Sequence, residues 1–179
     1  MRADKNGWFS GVRKIASPNY DHRPPGTRID MLVIHNISLP PDQFGGKDIA
    51  DFFCNRLDTT AHPYYEQLKD VRVSSHFLIR RDGGIIQFVP CVQRAWHAGA
   101  SNWLGRSRCN DFAIGIELEG SDFVPFEPAQ YASLARLTRY LQRTYPIRSI
   151  VGHSDIAPGR KTDPGPFFDW PRFRSATSL

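Results

Sequence analysis

The chain is poor in cysteine: three in 179 residues, Cys54, Cys91 and Cys109, an odd number with no C-x-x-C pair. That scarcity excludes a disulfide framework and a cysteine-ligated zinc knuckle, and reduced thiols in a cytoplasm fit it best. Long apolar runs are missing as well. No stretch approaches the roughly 20 residues of a membrane-spanning helix. Residues 1–9 open with charge but run into no apolar segment of export-signal length, so neither a membrane anchor nor a secretion signal is expected. Runs of basic residues are also lacking, although 23 Lys+Arg against 18 Asp+Glu leave a net charge of +5. The balance favours anionic ligands in general and supplies no nucleic-acid tail, so no nucleic-acid partner is expected. Repeats and linkers are absent too, and 40% hydrophobic with 23% charged residues excludes a disordered chain. Residues 1–179 therefore read as one domain.

What is present is punctuation and periodicity. Fourteen Gly and 14 Pro are dispersed along the chain and predict many turns. Residues 17–26, with Pro18, Pro24 and Pro25, are expected to lie extended over the surface, outside regular structure. Residues 29–35, in which Leu32, Val33 and Ile34 are consecutive, read as a strand buried on both faces and ending on His35. Ile49, Phe52 and Phe53 recur at helical spacing within 47–56, whereas 61–73 have no period and are expected to form a loop over a site. Residues 76–80 and 85–89 flank Asp82-Gly83, a hairpin signal. Residues 94–110, rich in Gly, Ser and Asn, read as a functional loop. In 113–119, Ile114, Ile116 and Leu118 share one face while Gly115, Glu117 and Glu119 share the other, so Glu117 points toward water or a site. Pro128 opens a helix whose stripe, Tyr131, Leu134, Leu137, Leu141 and Tyr145, stops at Pro146; Glu127 is a mediocre cap for it. A short strand over 149–153 ends on His153, and a short helix is predicted over 169–174.

Two strands that end in histidine can present His35 and His153 to a common rim, and the Gly- and Pro-rich segment 152–166 adds Lys161 and Asp163. Two imidazoles and a carboxylate are a recognised catalytic zinc set with one position left for water. Residue type alone leaves another reading standing, in which each histidine is an ordinary hydrogen-bonded strand end and Asp163 opens a turn. On type alone His22, His62, His76 and His97 compete equally as ligands. Glu117 can act as a general base beside such a metal or be a solvated strand residue; Lys161 can donate to an oxyanion or be a surface charge. Tyr64, Trp96 and Trp103 can stack on a ligand or pack a rim, and Arg72 and Arg108 can clasp carboxylates or sit on the surface.

A resemblance narrows these alternatives. The strings Leu32-Val33-Ile34-His35-Asn36-Ile37-Ser38-Leu39-Pro40-Pro41, Ser75-His76-Phe77-Leu78-Ile79-Arg80-Arg81-Asp82-Gly83, Arg94-Ala95-Trp96-His97-Ala98-Gly99, Gly115-Ile116-Glu117-Leu118-Glu119-Gly120 and Arg160-Lys161-Thr162-Asp163-Pro164-Gly165-Pro166 closely resemble the AmpD amidases. These are cytoplasmic 1,6-anhydro-N-acetylmuramoyl-L-alanine amidases of bacterial cell-wall recycling, and the likeness runs from about residue 7 to 174 in order. It implies an α/β (α+β) single domain with a central mixed β-sheet flanked by helices, as in phage-type amidases and peptidoglycan-recognition proteins. It implies zinc held by His35, His153 and Asp163, Glu117 as catalytic acid/base, and Lys161 as stabiliser of the tetrahedral oxyanion. Asn36, Tyr64, Arg72, His76, Trp96 and Arg108 fall where the family lines its substrate cleft. The implied partner is an anhydromuropeptide, cut between the muramoyl lactyl group and L-alanine by a monomer. Two departures stand out: Asp163 occupies a position where peptidoglycan-recognition proteins usually have Cys, and the connection 145–149 is short for the family.

Overall fold

A computed structural model describes residues 1–177. Its centre is a mixed six-stranded sheet in the order β1 (Arg13–Lys14), β5 (Ile85–Gln87), β4 (Phe77–Ile79), β9 (Ala113–Glu119), β3 (Met31–Ile37), β10 (Ser149–Gly152). The pairs β4·β9, β9·β3, β3·β10 and β1·β5 are parallel, and only the hairpin β4·β5 is antiparallel. The burial of all seven residues of β9 and of the first five of β3 fits their central place; β3 supplies an apolar run, whereas β9 is apolar on one face and carries Gly115, Glu117 and Glu119 on the other.

One layer is α2 (Pro128–Thr144) with α4 (Trp170–Thr177), closing a core of Leu32, Ile34, Phe77, Ile114, Ile116 and Leu118 under Leu134, Leu137, Leu141 and Phe173. Leu134, Leu137 and Leu141 are 0% exposed, and burial stabilises each by roughly 1.5–3 kcal/mol. The helix start is tied to the sheet through Gln130, whose Oε1 accepts from the Glu127 N–H while its Nε2 donates to the Ile79 and Glu119 carbonyls. Glu127 itself turns its carboxylate to Arg81. The other layer is broken. α1 (Asp48–Phe53) covers β4 and β5 through Phe52, Phe53, Leu78, Ile86 and Phe88; α3 (His153–Ile156) and residues around 98–112 cover β3 and β10. A cleft opens between them.

Several local expectations need correction. Residues 17–26 do contain regular structure: β2 (Tyr20–His22) pairs antiparallel with β6 (Gln93–Ala95), fixed by the Asp21–Arg94 ion pair. Proline bars only its own position and its neighbours, and 20–22 lie between Pro18 and Pro24. Residues 94–110 are likewise more than a loop, holding the end of β6, the ribbon of β7 (Asn102–Trp103) with β8 (Arg106–Ser107), and the start of a 3-10 turn at Cys109–Asp111. A 3-10 turn at Pro63–Leu68 occupies the aperiodic segment, started by Pro63 and by the His62 ring accepting from the Tyr64 N–H. α1 is shorter than the 47–56 expected, stopping at Cys54 ahead of Asn55 in the left-handed region. β10 ends at Gly152, so His153 is the first residue of α3 rather than the last of a strand.

Candidate active site

β3, β9 and β10 run parallel, so their C-terminal ends share one edge, where open α/β sheets place ligands. In register His35 is paired with Glu117. Because Leu32 and Ile34 turn toward α2, the alternate residue His35 turns into the cleft, and the same holds for Glu117 between Ile116 and Leu118. His153 arrives from the strand next door, and Asp163 from the Gly- and Pro-rich segment that follows α3, whose Asp163 carbonyl accepts from the Ser154 N–H.

The three groups converge. His35 Nδ1 lies 3.0 Å from His153 Nδ1 and 2.9 Å from Asp163 Oδ2, and His153 Nδ1 lies 3.0 Å from the same oxygen. Two ring nitrogens and a carboxylate oxygen aimed at one point suit a cation. Bonds of about 2.0–2.1 Å in a tetrahedron set donor atoms about 3.3 Å apart, close to the spacing here. Among the described residues this is the group of His, Cys, Asp and Glu that fits a metal ion. Its protonation fits as well. Burial holds the His35 imidazole down at about 4, against the pull of Asp163, so it is neutral at pH 7. Burial works to raise the Asp163 carboxyl, but hydrogen bonds to His153 and His35 outweigh it and keep it below the usual carboxylate range. Neutral imidazoles and an ionised carboxylate are the ligand forms zinc requires.

Glu117 is 7% exposed, so it faces a site and not water, and its Oε2 has no hydrogen-bond partner among the described residues. Burial, then the Asp163 charge, lift its carboxyl well above the ordinary value, with Lys161 opposing. Glu119, two residues on and on the same side of β9, is spent on structure: it pairs with Arg80 at 3.1 Å and accepts from the N–H groups of Gly45 and Arg81. Lys161 is exposed and lines the cleft, a space of about 390 Å³ shared with His35, Glu117, His153 and Asp163.

Of the residues expected at the substrate, Asn36, Tyr64 and Trp96 line this cleft. Asn36 donates to Asp122 and to the Pro164 carbonyl, holding the 122 and 164 segments together. The structure does not bring the other three into it. His76 is 0% exposed beneath the sheet edge, its Nδ1 accepting from the Gly115 N–H at 3.0 Å and its Nε2 facing the Gln93 carbonyl at 3.1 Å. Arg72 is exposed and donates to the Lys69 and Val71 carbonyls; Arg108 is exposed and paired with Asp111 at 3.3 Å. Residue types alone did not single out His97, which proves to be buried in the cleft wall with its Nδ1 3.0 Å from His35 Nε2. Its sequence signal is Gly115 in a strand of large residues, where a Cβ would meet the His97 ring at 2.5 Å.

The sequence pattern of a family described as N-acetylmuramoyl-L-alanine amidase matches residues 25–166, which include all of these cleft residues. The chain belongs to the N-acetylmuramoyl-L-alanine amidase family. This amidase is 54% identical to the 1,6-anhydro-N-acetylmuramyl-L-alanine amidase AmpD of Salmonella typhimurium (strain SL1344), over 100% of this chain and 96% of that one. A crystal structure of a selenomethionine AmpD derivative superposes with a TM-score of 0.95 at 53% identity, covering 98% of this chain and 99% of that chain. A complex of the Escherichia coli N-acetylmuramyl-L-alanine amidase AmiD with the substrate anhydro-N-acetylmuramic acid-L-Ala-D-gamma-Glu-L-Lys has a TM-score of 0.61 at 35% identity, covering 97% of this chain and 65% of that chain. The expected fold, family and enzyme class therefore stand, and no described helix is long and apolar enough to cross a membrane.

Proposed function

We propose that this amidase hydrolyses the amide between the lactyl group of N-acetyl-anhydromuramic acid and L-alanine in muropeptides, in cell-wall recycling, with zinc held by His35, His153 and Asp163. The observation that carries the reading is the convergence of two imidazole nitrogens and a carboxylate oxygen at about 3 Å beside a buried, unpartnered Glu117 carboxylate. The likeness to AmpD across the whole chain, and the anhydromuramoyl peptide in the AmiD complex, supply the substrate class.

When bound, zinc supplies a Lewis acid for the amide carbonyl and a nucleophile available at neutral pH. The chain's own residues do the rest. Glu117 takes the proton of the attacking water on its carboxylate and passes it to the leaving alanine nitrogen, because an amine is expelled only when protonated. A carboxyl shielded from water and raised by that burial well above its ordinary value suits both halves of that transfer. Lys161, at the rim, donates to the oxygen on which negative charge grows. Tyr64 and Trp96 offer flat surfaces to the sugar or peptide, and Asn36 steadies the rim next to them. Arg72, Arg108 and His76 lie outside the cleft and carry no step on this reading. The enzyme works as a monomer in the cytoplasm on this reading, in keeping with its three unpaired, buried thiols.

The test is a mass-spectrometric assay on anhydromuramoyl-tripeptide, with zinc content measured on the same sample. Release of free tripeptide that stops with a chelator and returns with zinc is the expected result. Tight binding without cleavage by zinc-loaded protein would make it a peptidoglycan-binding module, and faster digestion of intact murein would make it a wall amidase.

A further inference from the structure

His35 and His153 face the shared point with Nδ1; to hold a metal there each would carry its proton on Nε2, and those outer nitrogens would then need acceptors to fix the rings. Both acceptors come from one dipeptide. His35 Nε2 lies 3.0 Å from the His97 Nδ1, and His153 Nε2 lies 3.0 Å from the carbonyl oxygen of Ala98, the very next residue. The dipeptide is in turn clamped by a single atom: Asn110 Oδ1 accepts from the His97 N–H at 3.1 Å and the Ala98 N–H at 2.8 Å. The His97 ring is seated where Gly115 leaves no Cβ, and Arg160 adds a second donor to the Ala98 carbonyl at 2.8 Å.

We propose that the His97–Ala98 dipeptide, held by Asn110, is one outer support that aims both metal-binding imidazoles, making His97 and Asn110 positioning residues of the site. This rests on the reading of His35, His153 and Asp163 as metal ligands. A shared support has a consequence that two separate ones would lack: an error in the 97–98 backbone turns both rings together. Asn110 can therefore influence a metal it does not touch, through two backbone N–H groups and no side chain of its own in the cleft.

The experiment measures zinc affinity of the full chain by competition with a chromogenic chelator, and the visible spectrum of the cobalt-substituted protein, for wild type, His97→Ala, Asn110→Ala and Asn110→Asp. Asp keeps the accepting oxygen that Ala deletes. The expected result is a loss of about 10- to 100-fold in zinc affinity with an altered cobalt spectrum for both alanine variants. Asn110→Asp should return both readouts toward wild type. Wild-type affinity and an unchanged cobalt spectrum in the alanine variants would overturn the proposal, as would failure of Asn110→Asp to restore what Asn110→Ala loses. If circular dichroism shows that His97→Ala does not fold, the two Asn110 variants decide the matter. A wild-type chain that takes up no zinc would overturn the metal reading itself, which separates that failure from this one.

Discussion

The two faces of the central sheet are built from alternate residues of the same strands and differ most toward the C-terminal ends of β3 and β9, beyond the apolar Met31 and Val33. On β3 and β9, Leu32, Ile34, Ile114, Ile116 and Leu118 face α2 and α4, each 0–1% exposed. Their neighbours His35, Gly115, Glu117 and Glu119 face the broken layer, where His76 and His97 join them. One face gains stability by excluding water from apolar surface, and the other holds titratable groups that burial makes costly to charge. The lesson is that a rigid apolar face lets the opposite face carry polar groups at fixed positions, which is what a metal site and a proton carrier need.

The contrast can be broken from either side. The largest effect is expected on the polar face: Glu117→Gln should lower turnover by about 10²–10⁴-fold while zinc content stays at the wild-type level, checked by kcat and metal analysis on one sample. Near-wild-type turnover would remove Glu117 from the proton transfer. On the apolar face, Leu134→Ala should cost about 2–5 kcal/mol in urea unfolding yet leave the turnover of the folded enzyme unchanged. Gly115→Ala puts a methyl into the His97 ring and should cost about 1–3 kcal/mol, with zinc affinity falling as well, so that one substitution couples the two faces.

Acidity sharpens the comparison further. Burial holds His76 and His97 well below 6.5, and His35 near 4, so unfolded chains take up protons there that folded ones do not. Stability from these groups is complete above about 6.5 and is lost as pH falls toward the folded values. Glu117 has the opposite sign, since its raised value favours the folded state at low pH and loses that contribution as pH rises through it. Three histidines outweigh one carboxyl, so the unfolding free energy of zinc-free protein, read from urea titrations, should fall between pH 7 and pH 4.5, by on the order of 1 kcal/mol per pH unit or more. A flat profile would contradict the neutral buried histidines. The smallest effect concerns the thiols. Burial raises Cys54 and Cys109 and pushes Cys91 up to about 12, so a thiol reagent at pH 8 should leave native protein untouched and label it after unfolding.

Where local pattern determines structure, the sequence was readable. The alternation of β9, the Asp-Gly hairpin of β4 with β5 and the stripe of α2 each follow from spacing within a dozen residues or so, and the structure has all three. The likeness to a family, not periodicity, joined His35, His153, Asp163 and Glu117 into one site. Spacing could not, because His35 and Asp163 meet across 128 positions and register between parallel strands leaves no local mark. The same limit hid β2, a three-residue strand whose partner β6 lies more than 70 positions away, and made Glu117 and Glu119 look alike. Only the neighbours distinguish them: Arg80 and two backbone N–H groups satisfy Glu119, and nothing among the described residues satisfies Glu117 Oε2.

Arg23, on the arm that carries β2, has further reach. Its guanidinium is inserted among the carbonyls of Cys91, Asn110, Asp111 and Ala113, where desolvation lowers it to about 10. That one side chain stitches the beginning of the chain to the turn bearing Asn110, and the turn to the first residue of β9. Assembly must therefore be late and global. An arm made early in synthesis cannot lock until residues near 113 have emerged, and His35 and His153 cannot meet their third partner until Asp163 has followed. Metal uptake during refolding should accordingly report the last event of folding and not an early one, since the contacts that complete the site are among the most distant in sequence.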